Sequence, residues 1–264
     1  MFPDKINNII DLFGGGCNVG INTNATKIYY NEKQKEIVDL FNNLYIHTVD
    51  ETLQLVYDTI KQFNDIKRKE DYWALRNSYN QDKIWYKLFV LSCYSFNYSL
   101  RFNHKGEFNM TSGVGSSYFN NSIKERLIKY INYIKTKNII FTNKDFREFD
   151  LSFLDENDFV YLDPPYLIST ANYNENGGWN EKEEKDLLLL LDKLNEKNIK
   201  FALSNVIVHK GQQNTLLLDW TNWGNRYNTY MLKMKYNASW NAGKKKENNI
   251  KETIEVLITN YKAQ

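Results

Sequence analysis

Residues 159–162, FVYL, form an uninterrupted hydrophobic run that leads directly into Asp163, two prolines and Tyr166. A short strand that is hydrophobic on both faces is typical of a parallel sheet covered by helices on both sides. The two prolines fix φ at successive residues and donate no backbone hydrogen bond. The run therefore predicts a buried parallel strand. Ligands bind beyond the carboxyl ends of such strands, which is where Asp163–Tyr166 must lie.

The rest of the chain alternates between strand and helix patterns. Hydrophobic, β-branched or aromatic runs predict strands at 7–13, 26–32, 138–143 and 199–205, and helical patterns follow residue 32 and cover 180–197. Two further runs near the C-terminus, RYNTYMLKMKY and ETIEVLITNY, have no helix between them. We therefore predict an α/β fold, a doubly wound and mostly parallel sheet with antiparallel C-terminal strands.

Residues 47–136 lack this alternation and predict a helical insert. An irregular, polar and glycine-bearing stretch follows the helical patterns, and within it FNHKGEF (102–108) is typical of a hairpin turn. Long irregular stretches in compact domains are usually functional, so we expect a functional loop at 96–118. The insert would divide one α/β domain into 1–46 and 137–264. Hydrophobic residues recur with helical spacing in three segments of the insert: VDETLQLVYDTIKQF, DYWALRNSYN and DKIWYKLFVLSCYSF.

Charge and cysteine content restrict the function classes. The chain has 34 basic and 32 acidic residues, a net charge of +2, so any contact with nucleic acid must come from local clusters. Cys17 and Cys93 are too few for a disulfide framework, and neither they nor the three histidines have the spacing of a metal site. We therefore expect no bound metal. Since the chain shows no signal-peptide or membrane-span pattern, we expect a cytoplasmic protein without a membrane partner.

The first motif is DLFGGG (11–16), which is followed about 20 residues later by Glu32 at the tip of the next predicted strand. In doubly wound sheets, glycines let the backbone approach a nucleoside, and an acid at the end of the second strand binds the ribose hydroxyls. The sequence is neither GxGxxG nor a P-loop, and a glycine turn can also be only a turn. The motif indicates a nucleoside site without defining its ligand.

The second motif is DPPY itself, at 163–166. The Asp163 carboxylate and the Pro164 carbonyl would be two rigid acceptors, which suit the two hydrogens of an exocyclic amine. Such an amine is a poor nucleophile, and hydrogen bonds to both its hydrogens would stabilise the positive charge that develops during attack. Tyr166 offers a stacking face for a base that has left the duplex. The alternative is a rigid turn after a strand.

DLFGGG, NE at 31–32, DPPY and ALSN at 202–205 occur in the order found in amino-methyltransferases whose recognition domain lies between the cofactor and catalytic motifs. The chain resembles the DNA adenine methyltransferase (Dam) family, and most of all its T-even phage form. The likeness is nearly continuous after VYLDPPY and thinner through the insert. It implies a Rossmann-like methyltransferase fold with 47–136 as the target-recognition domain. It also implies methylation of the adenine amine in duplex DNA, within GATC, by S-adenosyl-L-methionine.

The resemblance also assigns roles to residues. The glycine turn would wrap the methionine part of the cofactor, and Asp163 would approach its amino group. Glu32 would hold its ribose, and Phe146 would pack on its adenine ring. Arg101 in NYSLRFN would read a guanine. The cofactor-binding set is Asp11, Phe13, Gly14, Gly15, Gly16, Glu32, Phe146 and Asp163. The catalytic set is Asp163, Pro164, Pro165 and Tyr166. The DNA-binding set is Phe96, Asn97, Ser99, Arg101, Lys244, Lys245 and Lys246, of which the three lysines could equally form a solvated loop.

The chain also departs from the family pattern. Family members carry a GNK or GGK element before the first strand, and this chain begins only a few residues before it, so we expect the element to be absent. One alternative is therefore a Dam-like DNA-binding protein with impaired catalysis. Another is an enzyme acting on cytosine or RNA, although cytosine enzymes more often carry serine at the position of Asp163. We expect a monomer or a weak dimer.

Overall fold

A computed structural model describes residues 1–168, 179–222, 226–232 and 253–262 of the 264-residue chain. Its strands form one sheet in the order β3-β2-β1-β4-β5-β8-β7, and the short β6 pairs with β5. The strands are β1 (Asn8–Asp11), β2 (Lys27–Asn31), β3 (Ile139–Thr142), β4 (Phe159–Leu162), β5 (Lys200–His209), β6 (Gln212–Gln213), β7 (Asn228–Leu232) and β8 (Ile254–Thr259).

The strand directions confirm the predicted sheet. Strands β1 to β5 pair in parallel, whereas β8 is antiparallel to both β5 and β7. The chain proceeds outward from β1 through β2 to β3, and from β4 to β5 on the other side. The strand order thus reverses between β1 and β4, where Asp11 lies opposite Tyr161. Ligands of doubly wound sheets bind at this reversal, beyond the carboxyl ends of the two strands.

Side chains alternate between the two faces of the sheet and form a separate core on each. In β4, Phe159 and Tyr161 belong to one buried cluster, and Val160 and Leu162 to the other. The four residues are all buried, as expected for a strand covered on both faces. The hydrophobic run FVYL is therefore explained by burial on both sides.

The helices cover both faces. The predicted helical segments are confirmed, and the six-residue helix α7 was not predicted because it is too short to show a helical period. The helices are α1 (Lys35–Ile46), α2 (Val49–Gln62), α3 (Lys69–Asp82), α4 (Trp85–Tyr94), α5 (Asn121–Ile134), α6 (Glu181–Glu196) and α7 (Thr215–Trp220). In the described ranges, no helix has the length and hydrophobicity needed to cross a membrane.

Helix α2, the first helix of the predicted insert, begins at a capping box. Thr48 accepts a hydrogen bond from the backbone of Glu51, whose carboxylate accepts from the Thr48 backbone in return. This reciprocal pair fixes the start of α2. Leu75 and Leu88 of the insert lie in the same buried cluster as Ile9 of β1. The insert is therefore packed against the sheet, and its boundaries at 47 and 136 stay a prediction.

Candidate active site

The glycine turn follows β1 and is held tightly against β2. Gly14 donates its backbone N–H to the carbonyl of Asn31 over 2.7 Å, and the Tyr30 hydroxyl donates to the carbonyl of Gly15 over 2.8 Å. A Cβ atom at Gly14 would lie 2.2 Å from the ring of Tyr30, which is fully buried. Gly14 is therefore required by the close approach of the turn to this ring.

Glu32 lies directly against this turn. One of its carboxylate oxygens accepts from the backbone N–H of Gly15 over 3.1 Å, and the other accepts from that of Gln34 over 2.9 Å. Both oxygens are thus oriented by backbone donors and retain further acceptor capacity. The predicted association of the glycine turn with Glu32 is present in the fold. Its role toward a ribose stays a prediction.

Asp11 ends β1 and is almost completely buried. Its side chain accepts from the backbone N–H of Gly20 over 3.0 Å. Burial raises the pKa of Asp11 from 3.8 to about 7; the Gly20 hydrogen bond opposes this shift, and the charges of Asp163 and Glu32 add to it. Three carboxyl groups therefore converge at the carboxyl ends of β1, β2 and β4. This arrangement favours a ligand that carries positive charge.

The DPPY residues follow β4 as predicted. The Tyr166 hydroxyl donates to Oδ1 of Asp163 over 3.0 Å and lies 3.5 Å from the Ser204 hydroxyl oxygen of β5. Pro164 is buried and Pro165 half-buried. The Asp163 side chain is accessible to solvent, but protein surrounds it closely. Its pKa is therefore raised, chiefly by desolvation, and hydrogen bonds with Tyr166 and Ser204 partly oppose this shift. The hydroxyl contact of Tyr166 was not anticipated from the sequence.

Three aromatic rings pack beside the glycine turn, and we call Phe13, Phe146 and Trp179 the aromatic cluster. The ring centroids of Phe13 and Phe146 are 5.4 Å apart, and each lies 5.7 Å from that of Trp179. Phe146 and Trp179 are both buried. Phe146 was predicted as the residue that packs on the cofactor adenine, and the structure brings it to Phe13. Trp179 was missed because the sequence around it carries no motif.

Arg101 is held in the predicted hairpin. The bridge between Phe102 and Phe108 and the bond from Asn103 N–H to the Glu107 carbonyl confirm the turn in FNHKGEF. Arg101 donates through Nε to the side chain of Asn109 over 2.9 Å and through Nη2 to its carbonyl over 3.0 Å. These two bonds fix the plane of the guanidinium group, and Nη1 takes part in neither.

The other predicted DNA contacts lie on a tight turn after α4. Phe96 and Asn97 are exposed and Ser99 is half-buried. Asn97 has φ of 54°, a conformation that is uncommon for residues other than glycine and is often found at functional sites. The turn is anchored by the bond from the Phe96 N–H to the Thr111 carbonyl. Lys244, Lys245 and Lys246 lie outside the described residues.

The described part of the chain contains no group of three or more histidine, cysteine or acidic side chains arranged to hold a metal ion.

Comparison with known proteins gives one family. Residues 1–238 match the family model of D12 class N6 adenine-specific DNA methyltransferases. The chain is 42% identical to type II methyltransferase M.FokI of Planomicrobium okeanokoites over 99% of this chain and 40% of that protein. It is 39% identical to modification methylase StsI of Streptococcus sanguinis, over 100% of this chain and 40% of that protein.

A more distant relative has a different length. The chain is 23% identical to the DNA adenine methylase of Escherichia coli K12, over 96% of this chain and 86% of that protein. The chain thus spans about two fifths of the length of M.FokI and StsI, and most of the length of the adenine methylase.

Proposed function

The chain belongs to the D12 class N6 adenine-specific DNA methyltransferases, and from this premise we propose that it transfers a methyl group from S-adenosylmethionine to the exocyclic amine of adenine in duplex DNA. One observation carries the proposal: the glycine turn with Glu32 and the DPPY residues meet at the carboxyl ends of β1 and β4. The residues proposed for the nucleoside and those proposed for the amine are thereby adjacent, as methyl transfer between two bound molecules requires.

The residues at the glycine turn fit S-adenosylmethionine. The carboxyl groups of Asp11, Glu32 and Asp163 suit its positively charged sulfonium and amino groups. Both oxygens of Glu32 are oriented by backbone donors and can still accept hydrogen bonds from ribose hydroxyls. Phe13 and Phe146, whose ring centroids lie 5.4 Å apart beside the turn, are the rings proposed to pack on its purine. When bound, the cofactor supplies the electrophilic methyl group. Gly14 allows the turn to lie directly against the Tyr30 ring, which sets the position of the turn.

The DPPY residues would hold the target base. Asp163 and the Pro164 carbonyl accept hydrogen bonds from the two hydrogens of the amine, which favours a tetrahedral nitrogen and stabilises its developing positive charge. Tyr166 stacks on the base, and Pro165 fixes the backbone between them. The base must first leave the duplex, which costs a few kcal/mol, and stacking returns part of this cost. Transfer would be direct, without a covalent intermediate on the protein: the bond between nitrogen and the methyl carbon would form as the bond from that carbon to the donor sulfur breaks, and the amine would release one proton.

The helical insert is proposed as the target-recognition domain. It carries thirteen basic and nine acidic residues, whereas the rest of the chain carries 21 and 23. This difference supports the insert as the part that contacts phosphates. Arg101, in the loop at 96–118, is proposed to read a guanine, with GATC as the first sequence to test. A role in restriction-modification is supported by the named relatives M.FokI and StsI. A cytoplasmic location and a monomer or weak dimer stay predictions.

The proposal is tested by transfer of labelled methyl from S-adenosylmethionine to three duplexes: one with GATC, one of equal composition without GATC and one with random sequence. We expect incorporation into adenine. Asp163→Ala should abolish it without changing the melting temperature, and Asp219→Ala, an exposed acid of α7, should leave it unchanged.

Each alternative gives a different result. Label found in cytosine or in RNA would overturn the adenine assignment. DNA binding without calorimetric binding of S-adenosylmethionine at millimolar concentration would identify a DNA-binding protein that does not methylate. Methylation of the random duplex but not of GATC would keep the reaction and reject GATC.

A further inference from the structure

Glu184, in the first turn of α6, is a completely buried acid that the proposed reaction does not use. Its carboxylate accepts hydrogen bonds from three side chains. The Trp179 indole N–H donates over 2.8 Å, the Asn214 amide over 2.9 Å and the Asn205 amide over 3.3 Å. All three partners are N–H donors, so the arrangement fits the ionised carboxylate, which only accepts.

A buried charge of this kind is costly for a role that is only structural. Taking a charge out of water is costly, and even a buried ion pair can often be replaced by packed hydrophobic side chains at no loss of stability. Other acids at the start of α6, such as Glu181, are exposed and interact favourably with the helix dipole without being desolvated. The burial of the Glu184 carboxylate is therefore best explained by the side chains that it binds.

Glu184 holds Trp179, and Trp179 contacts the other two rings of the aromatic cluster. The indole packs edge-on against Phe13 at an interplanar angle of 77° and tilted against Phe146 at 42°. The hydrogen bond to Glu184 holds the indole in the orientation that directs its N–H at the carboxylate. The positions of Phe13 and Phe146 thus depend on a bond made on α6.

The same helix holds Phe146 from a second direction. Arg147 lies 5.1 Å from the centre of the Phe146 ring and donates to the Asp186 carboxylate of α6 over 3.0 Å. Arg147 also bonds Asp145, the residue before Phe146. Helix α6 therefore fixes the aromatic cluster through Glu184 and through Asp186.

We propose that Glu184 is a positioning residue of the methyl-donor pocket, which through Trp179 fixes the Phe13 and Phe146 rings against which the donor's purine packs. The inference rests on the proposed function, since it assumes that S-adenosylmethionine binds at the glycine turn. It extends the site to Trp179, Glu184, Asn205 and Asn214. Glu184 contacts neither the donor nor the base, so its loss should weaken donor binding more than it slows methyl transfer.

The test uses the full chain and four variants. Glu184→Gln keeps one acceptor oxygen but turns an NH2 group toward at least one of the three N–H donors, so the network loses at least one hydrogen bond. Trp179→Phe removes the indole N–H but keeps an aromatic ring. Glu184→Gln/Asn214→Asp restores one carboxylate, with the donor and acceptor exchanged, and an aspartate at 214 can still cap α7. Glu181→Gln removes an exposed charge from the same helix turn and serves as the control.

The measurements are the Kd for S-adenosylmethionine, the single-turnover rate at saturating donor and DNA, the melting temperature and the indole N–H signals in NMR. For Glu184→Gln we expect about a tenfold or larger increase in Kd, as for loss of hydrogen bonds to a buried charge. The single-turnover rate should change by less than about twofold to threefold. The Trp179 signal, identified by its loss in Trp179→Phe, should move, and the double variant should recover most of the affinity.

The outcomes separate this inference from the proposed function. If wild type does not bind S-adenosylmethionine, both are overturned. If wild type binds it and Glu184→Gln binds it equally well, with only a lower melting temperature, Glu184 is structural and this inference alone is overturned. The same holds if Glu181→Gln loses as much affinity as Glu184→Gln. If Glu184→Gln does not fold, Trp179→Phe decides. A higher Kd for S-adenosylmethionine at an unchanged single-turnover rate would support the inference, and an unchanged Kd would contradict it.

Discussion

The hydroxyl of Tyr166 donates a hydrogen bond to Oδ1 of Asp163 over 3.0 Å. The proposed stacking residue is therefore joined to the proposed acceptor residue before any base is bound. A carboxylate has about four acceptor sites, so Asp163 can accept from Tyr166 and still bind an amine. Tyr166 thus has two separable features, a ring that can stack and a hydroxyl that orients the carboxylate.

Two substitutions at Tyr166 separate these features. Tyr166→Phe keeps the ring and should lower the single-turnover methylation rate by less than about tenfold, because only one hydrogen bond to a carboxylate is lost. Tyr166→Ala removes the ring as well and should lower the rate by a further factor of about five or more, since stacking contributes about 1 to 3 kcal/mol per base. Rapid-quench measurement with excess enzyme gives both rates. Equal rates for the two variants would contradict a stacking role.

The DPPY residues after β4 illustrate what the sequence could predict. FVYL followed by two prolines defines a buried strand and its end, so the location of Asp163 just after the carboxyl end of β4 followed from local pattern alone. The Tyr166 hydroxyl contact did not, because it depends on the side-chain rotation of Tyr166 and on the distance between β4 and β5. The pairing of DLFGGG with Glu32 was predicted because parallel neighbouring strands place their carboxyl ends together.

Glu184 illustrates what the sequence could not predict. In the segment NEKEEKDLLLLLDKL it is one of several acids at a helix start, and nothing local distinguishes it from Glu181. Its burial results from contacts with Asn205 and Asn214, which are 21 and 30 residues away in the chain. Only the packing of α6 against β5 and α7 identifies it. The same is true of Trp179, whose ring partners come from two distant segments.

Gly14→Ala is expected to damage the glycine turn. The added methyl would lie 2.2 Å from the buried ring of Tyr30, so the turn or the ring must move, at a cost of about 1 to 3 kcal/mol. Both the melting temperature and the affinity for S-adenosylmethionine should fall. Gly16→Ala is the matched control for stability, because its nearest neighbour is the Asn18 side-chain amide at 3.0 Å, which can rotate away. Equal losses of melting temperature for the two variants would refute the argument.

Arg101→Lys should lower sequence discrimination more than DNA binding. Lysine keeps the positive charge but cannot form the two parallel bonds that a guanidinium makes to guanine, which are worth about 1 to 3 kcal/mol. Asn109→Ala frees Nε of Arg101 from its side-chain partner but leaves the bond from Nη2 to the backbone carbonyl in place, so an intermediate loss is expected. The measurement compares methylation of duplexes that carry guanine or 7-deazaguanine at each position of the target.

Lys105→Ala is the matched control for charge in the same hairpin. It should lower affinity for all duplexes about equally and reduce the salt dependence of binding, without changing the response to 7-deazaguanine. If Arg101→Lys responds to 7-deazaguanine as wild type does, Arg101 does not read guanine.

Asp11 should make the free energy of unfolding fall as the pH rises, which is opposite to the usual effect of a carboxylate. Its pKa is raised from 3.8 to about 7, chiefly by burial, so between these values the folded protein binds a proton that the unfolded chain releases. The contribution of Asp11 to the free energy of unfolding is therefore fully present below about pH 4. It falls as the pH rises toward 7, by up to about 1.4 kcal/mol per pH unit. Asp11→Asn keeps an oxygen that can accept from the Gly20 N–H and removes the titration.

The difference in melting temperature between Asp11→Asn and wild type isolates this group, because the other titrating residues are common to both. The variant should gain relative stability as the pH rises from 4 to 7 and keep that gain at pH 8. S-adenosylmethionine is a cation and favours ionised Asp11, so its binding at pH 6 should release a proton in wild type but not in Asp11→Asn. Calorimetric titration in buffers of different ionisation enthalpy counts that proton. Parallel melting curves across pH 4 to 8 would show that Asp11 does not titrate in this range, and equal proton release in both proteins would place the titrating group elsewhere.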